Sequence, residues 1–137
     1  MDKVWIIIQI IFSKIDAWLR WFLGGYDGAL CALVVFVVID CITAIMCAIV
    51  DKKMSRTLGL KGIFKKVLIF VLVGVGHILD TCIIDATPIL RSAVIFFYLS
   101  SEGISILENA SNLGLPIPKK LKTILEQLHD HSEKENN

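Results

Sequence analysis

Three long apolar tracts dominate the chain, and the charged residues gather between and after them. Ala29–Val50 carries Asp40 as its only formal charge. Val67–Ile84 is interrupted by His77 and Asp80, and Ile89–Ala110 carries Arg91, Glu102 and Glu108. Roughly 20 apolar residues cross the hydrocarbon core of a bilayer. The pattern therefore predicts an all-α membrane protein with three transmembrane helices, at about residues 29–50, 67–84 and 89–110.

Residues 4–23 have a different pattern. Gln9, Ser13, Asp16 and Arg20 recur at helical spacing, and Ile7, Ile11, Ile15, Trp18 and Phe22 occupy the opposite face. Lys14 breaks the stripe, but a lysine can extend its ammonium to water. Trp5, Trp18 and Trp21 suit a headgroup interface. The expectation is an amphipathic N-terminal helix, either lying in the interface or crossing as a fourth span with its polar stripe against protein or a water-filled lumen. Gly24, Gly25 and Gly28 supply a joint before the first full span. At the other end, the prolines of GLPIP (114–118) lack amide donors and end the third span. Leu121, Ile124, Leu125 and Leu128 mark a short amphipathic helix, and the closing HDHSEKENN is expected to be disordered. The chain thus divides into an N-terminal helix and joint (1–28), a membrane domain (29–113) and a charged tail (114–137).

Composition agrees with this reading. Of the 137 residues, 55% are hydrophobic, and the mean hydropathy of +0.72 excludes a soluble domain of this length. Net charge is only +1, so the position of the charges says more than their sum. Lys52, Lys53, Arg56, Lys61, Lys65 and Lys66 crowd the segment 51–66, whereas the loop Asp85–Pro88 has no basic residue. The positive-inside rule puts the basic loop and the tail, with Lys119, Lys120 and Lys122, in the cytoplasm. These basic residues are read as topogenic and as facing anionic lipid, and no nucleic-acid partner is expected. No signal-peptide cleavage site follows the apolar residues 4–12. Cys31, Cys41, Cys47 and Cys82 fall within the spans, form no CxxC pair and read as small packing residues. No catalytic, cofactor or metal-ligating constellation is recognisable, so an enzyme is not expected.

Ionisable groups in hydrocarbon cost a few kcal/mol each on insertion scales, so their positions reveal which helix faces are used. On the third span Arg91, Tyr98, Glu102, Ser105 and Asn109 share a face. On the second, Gly74, His77 and Thr81 share one, with Asp80 beside it; on the first, Asp40, Thr43, Ala44 and Cys47 do. Such faces either pack against other helices or line an aqueous path. Asp80 and Arg91, at similar depth across a short loop, are expected to form an ion pair. Asp40 and Glu102 have no evident cationic partner near mid-membrane.

Three ordered segments carry a resemblance: IDCITAIMCAIVDKK, SRTLGLKGIFKKV and EGISILENASNLGLPIPKKLK. From about Ala29 to Leu125 the chain resembles the bacteriophage holins of the toxin-secretion or phage-lysis type. That resemblance implies a protein of the bacterial inner membrane that accumulates late in phage infection, forms homo-oligomers and suddenly permeabilises the membrane. The lesion releases a cell-wall hydrolase or collapses the membrane potential, and some relatives export toxins. Rival readings are an antiholin or accessory membrane subunit without pore activity, and a small ion channel or transporter. An antiholin is also a candidate partner.

Overall fold

The computed structural model describes residues 1–52, 56–84 and 87–136. Lys53 and Asp85 lie outside the described residues, as does the side chain of Arg56. Among the described residues there are five α-helices: α1 (Asp2–Leu23), α2 (Gly28–Asp51), α3 (Arg56–Leu79), α4 (Ile89–Asn112) and α5 (Lys119–Asn136). A π-helical turn, Asp80–Ile84, prolongs α3. Three segments are long and apolar enough to cross a membrane: Gly28–Asp51, Gly59–Ile83 and Ile89–Asn112.

Local chemistry sets the helix ends. Gly24, at φ 83°, closes α1 in the left-handed conformation that glycine adopts without a Cβ clash. Asp27 is extended, and its carboxylate accepts the Leu30 amide at 2.9 Å to start α2. Lys52 ends α2 at φ 55°. Pro116 and Pro118 delay the next helix until Lys119.

Two sequence expectations require correction. The second span begins within the basic segment, at Gly59 rather than Val67. Lys61, Lys65 and Lys66 are good helix formers, and they extend α3 instead of forming a loop. The tail is likewise helical to Asn136, because α5 meets no glycine or proline after Pro118. A helix-spaced contact between His129 and Glu133 (3.8 Å) lies along it.

α4 is the hub of the fold and packs against α2, α3 and α5, while α1 packs on α3. Two glycines allow close approach. A Cβ at Gly74 would lie 2.1 Å from the Phe22 ring of α1, and one at Gly76 would lie 3.1 Å from the Arg91 backbone of α4. The apolar core is small: Leu23, Leu30, Leu33, Val37, Ile69, Val73 and Ile95. Beside it lie buried Asp40, Asp80, Arg91, Ser100 and Glu102, while Val35, Ile42, Phe64, Val67, Leu68 and Phe96 are exposed. Charges inside and large apolar side chains outside reverse the usual distribution of a water-soluble domain. Lipid is the solvent that makes this arrangement favourable.

Candidate functional site: two buried ionic clusters

The first cluster lies at mid-span. Asp40 is about 18 Å along α2 from Gly28 at 1.5 Å per residue, near the helix centre. On the same face, Thr43 and Cys47 follow at helical spacing. Lys66 of α3 joins α2 to α4: its Nζ binds the Asp40 carboxylate and donates to Glu102 Oε2 at 2.6 Å. All three side chains are largely buried, with 19%, 7% and 9% exposure for Lys66, Asp40 and Glu102. Asn109 Nδ2 donates to Asp40 Oδ1 (3.1 Å) and to Thr43 Oγ1 (2.9 Å). Cys47 Sγ donates to the Asn109 carbonyl at 3.3 Å. The expectation that Asp40 and Glu102 have no cationic partner is therefore corrected. Lys66 also lies in α3 and not in a loop, and its side chain turns inward while Lys61 and Lys65 stay exposed.

The second cluster ties the α1–α2 joint to the start of α4. Arg91 is 3% exposed. Its Nε donates to the Leu23 carbonyl (2.6 Å), Nη2 to the Gly25 carbonyl (3.0 Å) and Nη1 to Asp27 Oδ2 (2.6 Å). A helix leaves its last carbonyls without intrahelical partners, and here a guanidinium from another helix occupies one of them. The Arg91 hydrogen bond, followed by that from the Leu30 amide, holds the Asp27 carboxyl below its ordinary pKa. His77 is half-buried and its ring abuts Gly24, where a Cβ would lie 2.5 Å from Nδ1.

Asp80 does not pair with the Arg91 side chain as the sequence suggested. Its two carboxylate oxygens accept the backbone amides of Leu90 (3.0 Å) and Arg91 (2.9 Å). It caps α4 from the preceding turn, where Pro88 makes no side-chain cap. This arrangement changes what a mutant comparison should give. Asp80→Asn should destabilise by about 1–2 kcal/mol, because one amide loses its charged acceptor. The exchange Asp80→Arg with Arg91→Asp should be worse than either single change in detergent unfolding. Rescue by the exchange would restore the side-chain pair.

The remaining sequence candidates sit at the margins. Tyr98 is half-buried and edge-on to Phe97, with ring centroids 5.0 Å apart. Ser105 is half-buried on α4, and Lys52 occupies the C-cap of α2. All four cysteines are free; Cys31 and Cys82 are exposed rather than packed. Among the described residues no group of His, Cys, Asp and Glu side chains could hold a metal ion.

The fold and these clusters define a small multi-pass α-helical membrane protein whose charges are satisfied between helices. The model of the bacteriophage holin family matches residues 17–130, and the chain belongs to that family. It is 41% identical over 110 residues to an uncharacterized 14.9 kDa protein of Clostridium perfringens, covering 80% of this chain and 83% of that one. An uncharacterized protein of Listeria innocua is 37% identical over 120 residues, covering 88% and 85%. A probable holin of Bacillus phage phi105 is 34% identical over 110 residues, covering 80% and 78%. No solved structure matches the chain significantly.

Proposed function

We propose that this protein is a holin that oligomerises in the bacterial inner membrane and opens lesions, releasing a cell-wall hydrolase or a toxin and triggering host lysis. Membership of the holin family carries the reading. The distribution of surface supports it: the bundle turns apolar faces outward on α2 and α3, surfaces that suit lipid and neighbouring copies alike. In this reading residues 29–113 are the membrane domain and residues 114–137 the tail. The excess of lysine at the α2–α3 end favours a cytoplasmic basic segment and C-terminus. Residues 1–28 are the anchor and joint. In α1, residues 2–15 are exposed on every side, including Trp5, Ile7, Ile11 and Phe12, and the helix meets α3 only near its C-terminal end. A helix so placed suits the interface better than a tightly packed fourth span.

Expression of the chain alone in a bacterium tests the proposal. Growth should stop abruptly after a delay, with loss of membrane potential and release of a co-expressed cytoplasmic hydrolase. Unchanged growth at confirmed membrane levels would instead fit an antiholin or accessory subunit. Ion leakage without protein release would fit a narrow channel.

A further inference from the structure

The three lysines at the start of the second span divide between two faces of α3. At 100° per residue, Lys66 falls beside buried Ile69 and Val73, and Asp40 and Glu102 engage it there. Leu60, Lys61, Phe64, Lys65 and Leu68 fall within an arc of roughly 140° on the other side, and all five are exposed. They line one shallow groove. Among the described residues, Lys61 and Lys65 take part in no ion pair.

The segment long and apolar enough to span begins at Gly59. Lys61 is therefore rooted about 3 Å inside it, and Lys65 about 9 Å, at 1.5 Å per residue. Helical side chains lean toward the helix N-terminus, which is the headgroup end of this span. Both ammoniums can thus extend back to headgroup level while their stems stay along apolar surface. Beside them Leu60, Phe64 and Leu68, each more than half exposed, run about 12 Å toward mid-membrane. Two cations one turn apart at the head of an apolar strip match an anionic phospholipid. Its phosphate charge meets the ammoniums, and an acyl chain lies along the strip. A zwitterionic lipid brings its own cation and leaves the lysines uncompensated. The outward α2 face of another copy, with Val35, Val38, Ile42 and Ile45, offers no anion, because Asp40 is buried against Lys66.

We propose that Lys61 and Lys65, with Leu60, Phe64 and Leu68, form a binding site for one anionic phospholipid of the leaflet that faces the basic segment. Diffuse attraction to a charged membrane is shared by every lysine near the surface, whereas this site needs these two lysines beside Phe64. The site adds a lipid partner to the holin reading, and it rests on the bilayer placement in that reading and not on pore opening.

The test places the full-length chain in vesicles of dioleoyl phosphatidylcholine with a minority of dioleoyl phosphatidylglycerol. The reporter is Phe64→Trp in a chain whose Trp5, Trp18 and Trp21 are changed to Phe, and the quencher is bromine on the acyl chains of one lipid at a time. Phosphatidylglycerol should be preferred beside position 64 by roughly fivefold or more. Lys61→Gln with Lys65→Gln should abolish the preference, whereas Lys119→Gln with Lys120→Gln should leave it in place. Equal quenching by the two lipids in the reporter chain, or a preference lost equally on changing Lys119 and Lys120, would overturn the site. Two further results would also overturn it. A position 64 that neither lipid quenches would mean that a second copy covers the strip. A preference removed by inorganic phosphate, but not by potassium chloride of equal ionic strength, would mean a site for the soluble anion. The unmodified chain gives a check without the tryptophan exchanges. In native mass spectrometry from the same vesicles it should retain phosphatidylglycerol, and Lys61→Gln with Lys65→Gln should not; equal retention would overturn the site. Failure of the holin reading would show as absent permeabilisation, which none of these lipid measurements reads.

Discussion

Lys66→Met should destabilise the bundle by about 3–5 kcal/mol, the usual consequence of removing one partner from a buried ion pair. Lys66 stands against two carboxylates, from Asp40 and Glu102, each under 10% exposed. Without the ammonium, both carboxylates are left at mid-span without its charge, although the Asn109 amide still donates to Asp40. The expected result is a large drop in the denaturant midpoint in detergent, and poor accumulation in the membrane. Adding Asp40→Asn and Glu102→Gln to Lys66→Met should recover much of the loss, because neutral amides need no counter-ion. Lys61→Met and Lys65→Met, whose side chains are exposed, should be close to neutral. If Lys66→Met behaves like those two, the ammonium reaches the membrane surface and the triad does not exist in the bilayer. Failure of the triple variant to recover would show that packing around Lys66, and not its charge, sets the stability.

The sequence made the three spans legible because hydropathy over some twenty residues is a strong signal and lipid tolerates little else. The cost of ionisable groups in hydrocarbon also agrees with the burial of Asp40, Asp80, Arg91 and Glu102. The sequence did not reveal which charge meets which. Asp80 and Arg91 are close in the chain and opposite in sign, so side-chain pairing looked natural; yet the carboxylate serves two backbone amides. A helix start preceded by proline has orphan amides to satisfy, and that was the available signal. Lys66 was missed because hydropathy ended the second span at Val67. Helix α3 continues back to Arg56, which puts Lys66 within a helix and lets its long side chain turn inward. The leucines of α5 called for a partner but did not say which: Leu125 packs at Gly103 and His129 at Phe97, so the helix folds back on α4.

Arg91→Leu should be the second large loss, about 2–5 kcal/mol, because two backbone carbonyls lose a charged donor, and its effect should spread to α1. The guanidinium serves the Leu23 and Gly25 carbonyls together with Asp27, so three elements depend on one side chain. Removing it takes the guanidinium donors from the Leu23 and Gly25 carbonyls and should loosen the seat of Phe22 over Gly74. Arg91→Lys should recover little, because a single ammonium cannot reproduce a planar fork of donors aimed at separate acceptors. Asp27→Asn should cost far less, about 1 kcal/mol, since the Asp27 side chain is 53% exposed and water screens the pair. The pH dependence separates these contributions. The folded state holds the Asp27 carboxyl below its ordinary pKa, so its contribution is complete above the ordinary carboxylate range. That contribution is lost only as pH falls through the depressed value. Between pH 8 and pH 6, roughly, unfolding of Asp27→Asn should therefore run at a constant offset below the unmodified chain, and the offset should shrink in stronger acid. The readout is the denaturant midpoint in detergent, with protease cutting at the Gly24–Gly28 joint as the local probe. If Arg91→Leu leaves that joint as protected as before, the guanidinium does not hold α1, and packing of Phe22 on Gly74 is sufficient alone.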